Sequence, residues 1–163
     1  MSYIVVDIEA DGEIQIVCWL SLAIASGCRF SELLRFTLDL IDENNTAYEG
    51  IFLETTKAIR TKGRGRAGKQ LKKYIIKDIF WSKYQQWLAL RSEILNKNEK
   101  DHNSIFIKDN GDPATESTAR GWVHKVQSYL DKPFYCHSLR HYSVSFLGRK
   151  KIRPELIKSL FGW

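Results

Sequence analysis

The sequence has few cysteines and no long hydrophobic run, and each shortage excludes a class of protein. Its three cysteines, Cys18, Cys28 and Cys136, are an odd number without a Cys-x-x-Cys spacing. This pattern argues against a disulfide framework and against a structural zinc site. The longest apolar stretch, from Ile14 to Ala25, contains two polar residues and is shorter than the roughly 20 residues that span a bilayer. We therefore expect free, buried thiols and no transmembrane helix.

The chain is also poor in proline, and its first residues do not predict a secretory leader. It has 3 prolines in 163 residues and 44% hydrophobic residues, which excludes a disordered or collagen-like chain. The start carries Asp7 and Glu9, with no basic segment followed by an apolar one. We expect one globular domain, residues 1–163, in the cytoplasm of a cell.

Positive charge is concentrated in one stretch of the chain. The formal net charge is +6, which favours a polyanionic partner. Nine basic residues and no acidic one lie between Lys57 and Lys77, and the other 142 residues carry 16 basic and 19 acidic side chains. Segment 62–69 has three glycines among its basic residues, as a loop that follows a phosphate backbone would have. A merely solvated loop is the alternative, but like charges at this density repel unless a polyanion screens them.

Apolar periodicity and turn residues predict an α+β fold that is mainly helical. A nearly all-apolar helix spans 13–25 and ends at Gly27, and a short helix follows at 31–36, with Ser31 as its cap and Arg29 at its entrance. Further helices are expected at 79–95 (opened by Asp78), 115–130, 137–149 and 154–160. Between them, 104–107 is expected to be extended and 109–113 to form a turn.

Two β-rich runs flank the glycine-containing basic loop. Residues 50–59 and 71–76 are predicted to pair as an antiparallel hairpin with a long tip. Duplex DNA contacts are expected from the basic residues of this hairpin, namely Arg60, Lys62, Arg64, Arg66, Lys69, Lys72 and Lys73.

Three separated segments carry groups that suit a phosphodiester. These are Arg29, a hairpin lysine (Lys57 or Lys62), and His137 with Arg140. Two guanidinium groups can bind both non-bridging oxygens of a pentacovalent phosphorane bidentately, and a histidine adds a donor. The combination predicts a site for phosphoryl transfer.

Two motifs extend this interpretation. Residues 26–33, Ser-Gly-Cys-Arg-Phe-Ser-Glu-Leu, resemble the G-x-R-x-S-E-L box of tyrosine recombinases, the phage integrase family, and residues 137–142 resemble its H-x-L-R-H box. Residues 155–163 are similar to the family's final segment, with Trp163 where histidine is usual. The resemblance spans about 14–163 and implies the family's catalytic-domain fold and site-specific DNA recombination.

The resemblance implies roles for individual residues. Arg29 and Arg140 would bind the scissile phosphate, His137 would assist proton transfer, and Trp163 would pack at the phosphate. Glu32 would support the pocket and orient Arg29. The lysine that protonates the leaving 5′ oxygen would be Lys57, which we prefer because a strand holds a general acid better than a glycine loop, or Lys62. Such an enzyme needs no metal and no cofactor.

The family's nucleophilic tyrosine and its N-terminal DNA-clamping domain have no counterpart in the sequence. The tyrosine follows the Gly-His or Gly-Trp pair, and this chain ends at Trp163. Tyr135 and Tyr142 flank the histidine box but do not match the motif. We therefore expect no strand cleavage by this chain alone and a monomer in solution, whereas the family's full-length proteins act as tetramers on paired duplexes.

The same residues are compatible with three other functions. A zinc site at His137 and His141 is disfavoured because Ser138 lies where zinc hydrolases of that kind carry a glutamate. A non-catalytic DNA-binding regulator, or a decayed recombinase, would also use the basic hairpin and the arginine pocket. An RNA-binding or structural module is the third, and the basic loop lacks the aromatic platform expected for single strands.

Overall fold

The computed structural model describes residues 2–61, 69–131, 133 and 136–161. Within them the fold is α+β and mainly helical, as predicted. The helices are α1 (Ser2–Ala10), α2 (Ile14–Ser26), α3 (Phe30–Leu33), α4 (Lys77–Lys97), α5 (Glu116–Gln127), α6 (Cys136–Arg149) and α7 (Pro154–Phe161). The strands are β1 (Thr46–Ala47), β2 (Phe52–Glu54), β3 (Ile59–Thr61), β4 (Lys69–Leu71) and β5 (Tyr74–Ile76).

Helix α2 forms the centre of the core. All of its residues from 16 to 26 are buried, and its main neighbour is α4. Trp19 packs against Phe30 with ring centroids 4.5 Å apart and meets the edge of Trp122 at 5.5 Å. The helix ends as predicted, because Gly27 adopts a left-handed conformation (φ 64°) and its N–H donates to the Ala23 carbonyl.

The predicted hairpin is present, but it is divided into two antiparallel pieces. The inner piece joins β1, β2 and β5, with Leu53 opposite Ile75. The outer piece pairs β3 with β4, with Arg60 opposite Gln70. Residues 55–58 and 72–73 lie between the two pieces and belong to no strand. The expectation of one continuous strand over 50–59 is therefore wrong, because the chain bends where threonine side chains bond to the backbone.

Helix α4 fixes the segment that follows it. The Trp87 indole N–H donates to the Ile105 carbonyl at 2.8 Å, and the Arg91 guanidinium donates to the carbonyls of His102 and Ser104. These bonds hold the buried segment 105–107 against the helix. Bridges from Ser104 and Ile107 to neighbouring segments agree with the extended conformation predicted for 104–107.

The remaining predicted helices are present with shifted ends, and two local predictions change. Ser31 lies inside α3 and makes no cap; Arg29 is the N-cap residue instead. Asp78 lies in the first turn of α4, after Ile76 at the N-cap. Helix α1 was not predicted. Among the residues that the structure describes, no helix is both long and apolar enough to cross a membrane.

Candidate active site

Arg29 lies on a turn that is fixed from below by buried polar groups. The Ser26 hydroxyl donates to the Leu22 carbonyl at 2.6 Å and accepts from the Cys28 N–H at 3.2 Å. The Arg29 backbone is extended, and its carbonyl accepts from the N–H groups of Glu32 and Leu33. The side chain of Arg29 is exposed. A rigid backbone therefore presents a guanidinium group to solvent.

Beneath this turn lies a buried ion pair. Lys73 Nζ is 3.4 Å from Glu32 Oε2, and each side chain is only 7% exposed. The two atoms do not meet hydrogen-bond geometry, and Oε2 accepts no hydrogen bond from any residue that the structure describes. Burial raises the pKa of the neighbouring Cys28 thiol to about 11, although the charge of Lys73 acts in the opposite direction.

Lys73 was predicted as a DNA contact, and its burial removes it from that set. Lys73 lies in the bend just before β5, in which Ile75 and Ile76 are both buried, so no alternation in the sequence marks it as inward-pointing. Its partner Glu32 is 41 positions away and leaves no signal in the sequence either.

Lys57 lies in the bend between β2 and β3, not in a strand, so the reason given for preferring it over Lys62 does not hold. The bend is nevertheless well anchored. The Thr56 N–H donates to the Leu40 carbonyl at 3.1 Å, and the Thr56 hydroxyl donates to the Asp39 carbonyl at 2.7 Å. The Thr55 hydroxyl donates to the Lys57 carbonyl at 2.9 Å. The backbone of Lys57 is thus held while its side chain, 71% exposed, stays in solvent.

The Lys57 ammonium group is paired with Asp39. Nζ lies 3.2 Å from Asp39 Oδ2, and the other carboxylate oxygen accepts from the Thr37 hydroxyl at 2.5 Å and from the Asn103 amide at 3.1 Å. The Thr37 hydroxyl, and then Lys57, hold the pKa of Asp39 below its usual value. Sequence reasoning did not identify Asp39 as the partner of the candidate general acid.

Helix α6, which carries the histidine box, docks on the end of α2. The Ser143 hydroxyl donates to the carbonyls of Ile24 and Leu139, and both Ser143 and Leu139 are buried. Ile24 belongs to the last turn of α2, shortly before Arg29. The backbone therefore brings both sequence boxes to the same end of α2.

Several predicted site residues lie outside the described part of the structure. Lys62, Arg64, Arg66 and Trp163 are not described, and for His137, Arg140 and Lys69 only the backbone is described. Of the remaining hairpin cations, Arg60 and Lys72 are exposed. Within the described ranges, no three His, Cys, Asp or Glu side chains cluster as a metal site.

Comparisons with known proteins agree with this architecture. The model of the phage integrase family matches residues 5–163. The fold is similar to the XerA recombinase (TM-score 0.70, 16% identity), over 98% of this chain and 52% of that one. It is also similar to the Tn1549 transposon integrase in complex with circular intermediate DNA (TM-score 0.62, 17% identity), over 99% and 54%.

A third similar structure is the XerH site-specific recombinase bound to palindromic difH substrate in a post-cleavage complex (TM-score 0.58, 19% identity), over 91% of this chain and 39% of that one. The chain spans about half the length of the first two of these structures. No curated protein matches it. The family match covers nearly all of the chain, including both sequence boxes, and the chain belongs to the phage integrase family, the tyrosine recombinases.

Proposed function

We propose that residues 1–163 are the catalytic domain of a site-specific recombinase that cuts and rejoins duplex DNA. The observation that carries the proposal is the exposed Arg29 on an anchored turn just after α2, because the last turn of α2 is joined to α6 by the bond from the Ser143 hydroxyl to the Ile24 carbonyl. The positive excess of the hairpin supports DNA as the partner. Two of the similar structures also contain DNA, namely circular intermediate DNA and the difH substrate.

In the proposed reaction, a tyrosine hydroxyl attacks the scissile phosphorus. A bond forms between the tyrosine oxygen and phosphorus, and the bond from phosphorus to the 5′ oxygen breaks. Arg29 and Arg140 neutralise the non-bridging oxygens, and Lys57 gives a proton to the leaving oxygen. The proton of the tyrosine hydroxyl passes to solvent with the assistance of His137. Glu32 supports the pocket, Trp163 packs at the phosphate, and Lys62 is the alternative acid.

The energy of the broken strand is kept in the phosphotyrosine bond, so the second DNA strand reverses the step without a cofactor. In the family motif the nucleophilic tyrosine follows the Gly-His or Gly-Trp pair, which corresponds to Gly162-Trp163 here. We propose a monomer for this chain and a tetramer on paired sites for the full-length protein. Its place of action is the host's DNA, in the cytoplasm.

The salt dependence of duplex binding tests the DNA-binding part of the proposal. Replacing Arg64, Arg66 and Lys69 by alanine should flatten the slope of log affinity against log salt by roughly 2–3 units, at about 0.9 per phosphate contact. Fluorescence anisotropy of a labelled duplex over a salt series gives this slope. An unchanged slope would mean that the hairpin tip does not contact DNA.

A matched control removes three lysines at or after the end of α4. Lys97 ends α4, and Lys100 and Lys108 follow it; all three lie outside the basic stretch 57–77. Alanine at these positions makes the same change in net charge and should leave the slope nearly unchanged. An equal effect from both triple variants would point to non-specific attraction.

The cleavage part is tested in a protein that carries a tyrosine-bearing segment after Trp163. Arg140→Ala should abolish the covalent adduct between protein and DNA while weakening duplex binding only modestly, because it removes one of two guanidinium groups from the transition state. Adduct formation is read on a denaturing gel. Equal loss of adduct and binding would refute the role given to Arg140.

A further inference from the structure

The pair of Glu32 and Lys73 has a feature that simple fold stabilisation does not require. A buried carboxylate that only supports the fold is normally saturated with hydrogen bonds. Glu32 Oε2 instead has the Lys73 ammonium 3.4 Å away as counter-charge and accepts no hydrogen bond from any described group. The carboxylate is neutralised by a neighbour and still has a free acceptor.

Two exposed arginines, Arg29 and Arg35, lie three residues from Glu32 along the chain, and the Arg35 guanidinium already donates to the Arg60 carbonyl. Arg29 is the N-cap residue of α3 and Glu32 is the third helical residue, so the two lie on one turn, joined by the bond from the Glu32 N–H to the Arg29 carbonyl at 3.0 Å. Side chains three residues apart on such a turn are neighbours. Within the described structure Arg29 forms no ion pair, and its guanidinium has five donors to offer.

Lys73 approaches Glu32 from a fixed point. Its carbonyl accepts from the Thr55 N–H at 2.9 Å, and its own N–H donates to the Thr55 hydroxyl at 2.9 Å. The ammonium group is therefore held beneath the Arg29 turn by the backbone of a different element. Without it, the buried carboxylate would lack a counter-charge, and the nearby guanidinium would supply one.

We propose that Lys73 is a positioning residue that serves as the resident counter-ion of Glu32 and so leaves the charge of Arg29 to the DNA phosphate. With a phosphate bound, the unfilled Oε2 accepts one N–H of Arg29 and orients it, and the remaining donors face the phosphate. When Lys73 is absent, Glu32 draws Arg29 inward as its ion-pair partner. The inference deepens the proposed function and rests on Arg29 contacting a phosphate.

A double-mutant cycle on duplex affinity, measured on this chain, tests the proposal. Arg29→Ala should weaken binding about tenfold, the low end for a charged hydrogen bond. Lys73→Met should cause a similar loss, and the double variant should bind no more weakly than Arg29→Ala. Lys73→Arg, which keeps the positive charge, should bind close to wild type. Independent losses that multiply in the double variant would overturn the proposal.

Removing the competing carboxylate gives the sharper result. Adding Glu32→Gln to Lys73→Met should restore most of the lost affinity, because no buried charge then draws Arg29 away from the phosphate. A merely structural role for Lys73 predicts no such recovery. This double variant has no unpaired buried charge, so its affinity can be measured even if Lys73→Met alone does not fold. In that case we expect the double variant to bind duplex with nearly the affinity of the wild type. Affinity as low as that of Arg29→Ala would overturn the proposal.

A neighbouring lysine controls for the loss of charge. Lys72→Met removes the same charge one residue earlier, from an exposed side chain, and its effect should multiply with that of Arg29→Ala. Unchanged affinity in Arg29→Ala would also overturn the inference. If the wild type keeps its salt-dependent binding in that case, the proposed function stands; if the wild type does not bind duplex at all, the proposed function fails as well.

Discussion

Thr55 joins the two pieces of the hairpin, and its hydroxyl group is the most informative single atom to remove. The residue is fully buried, donates to the Lys57 carbonyl at 2.9 Å and accepts from the Lys73 N–H at 2.9 Å. Thr55→Val keeps the side-chain shape and loses both bonds. One substitution therefore tests the anchors of both candidate site lysines.

The expected cost follows from what each bond leaves behind. The Lys73 N–H loses a buried acceptor, which costs about 1–3 kcal/mol, whereas the Lys57 carbonyl is partly exposed and exchanges its bond for water at about 0.5 kcal/mol. The added methyl group of valine returns about 0.8 kcal/mol of hydrophobic burial. The net loss is about 2 kcal/mol, which lowers the melting temperature by about 4–8 °C for a chain of this size.

Urea denaturation of wild type, Thr55→Val and Thr56→Val measures this difference. Thr56 makes a similar hydroxyl bond to the Asp39 carbonyl, but its side chain is partly exposed, so its loss should cost only about 0.5–1 kcal/mol. In Thr55→Val the Lys73 amide should also exchange with solvent faster. Equal stability of the two variants, with unchanged exchange at Lys73, would refute the account of the bend.

Two further predictions concern pKa values that the structure raises. Burial raises the pKa of Cys18 and that of Cys28, the latter to about 11. In the Cys136→Ser variant, neither of these two thiols should therefore react with iodoacetamide at neutral pH until urea unfolds the chain. Fast labelling of the native variant would contradict this prediction. A hydrogen bond to the Asp11 carboxylate raises the pKa of Tyr129 from 10.0 to about 12. This hydrogen bond contributes its full stability below pH 10.0, and the contribution is lost as the pH rises to about 12. The difference in tyrosinate absorbance between wild type and Tyr129→Phe should therefore show a step near pH 12, and a step near pH 10.0 would contradict the prediction.

The elements that the sequence predicts well are those with local signals. The apolar run of α2 and Gly27 after it define a helix and its end without reference to the rest of the chain. Thr115 caps α5 through the Thr118 N–H, and Pro154 begins α7, both within one turn of the predicted starts. The Arg29 turn is also predicted locally, because its motif is contiguous.

The elements that were missed depend on tertiary contacts. The division of the hairpin follows from Thr55 and Thr56 side chains that bond to backbone groups, a competition with strand pairing that composition does not reveal. The burial of Lys73 depends on Glu32, 41 residues earlier, and the partner of Lys57 is Asp39, 18 residues earlier. Charge counting treats both cations and both anions of these two pairs as surface groups, whereas tertiary structure decides which of them are buried.

The contact between α2 and α6 has a consequence for the order in which the chain folds. The Ser143 hydroxyl meets the Ile24 carbonyl across 119 residues of sequence, and α2 packs mainly on α4, which begins more than 50 residues after it ends. Loops of this length close slowly. Helix α2 is nearly all apolar, so it is not stable in contact with water before α4 and α6 cover it. A nascent chain released before α6 is synthesised leaves one side of α2 uncovered and the turn of Arg29 without its final support. The end of α2 and the turn that follows it therefore reach their final packing only after α6 has left the ribosome.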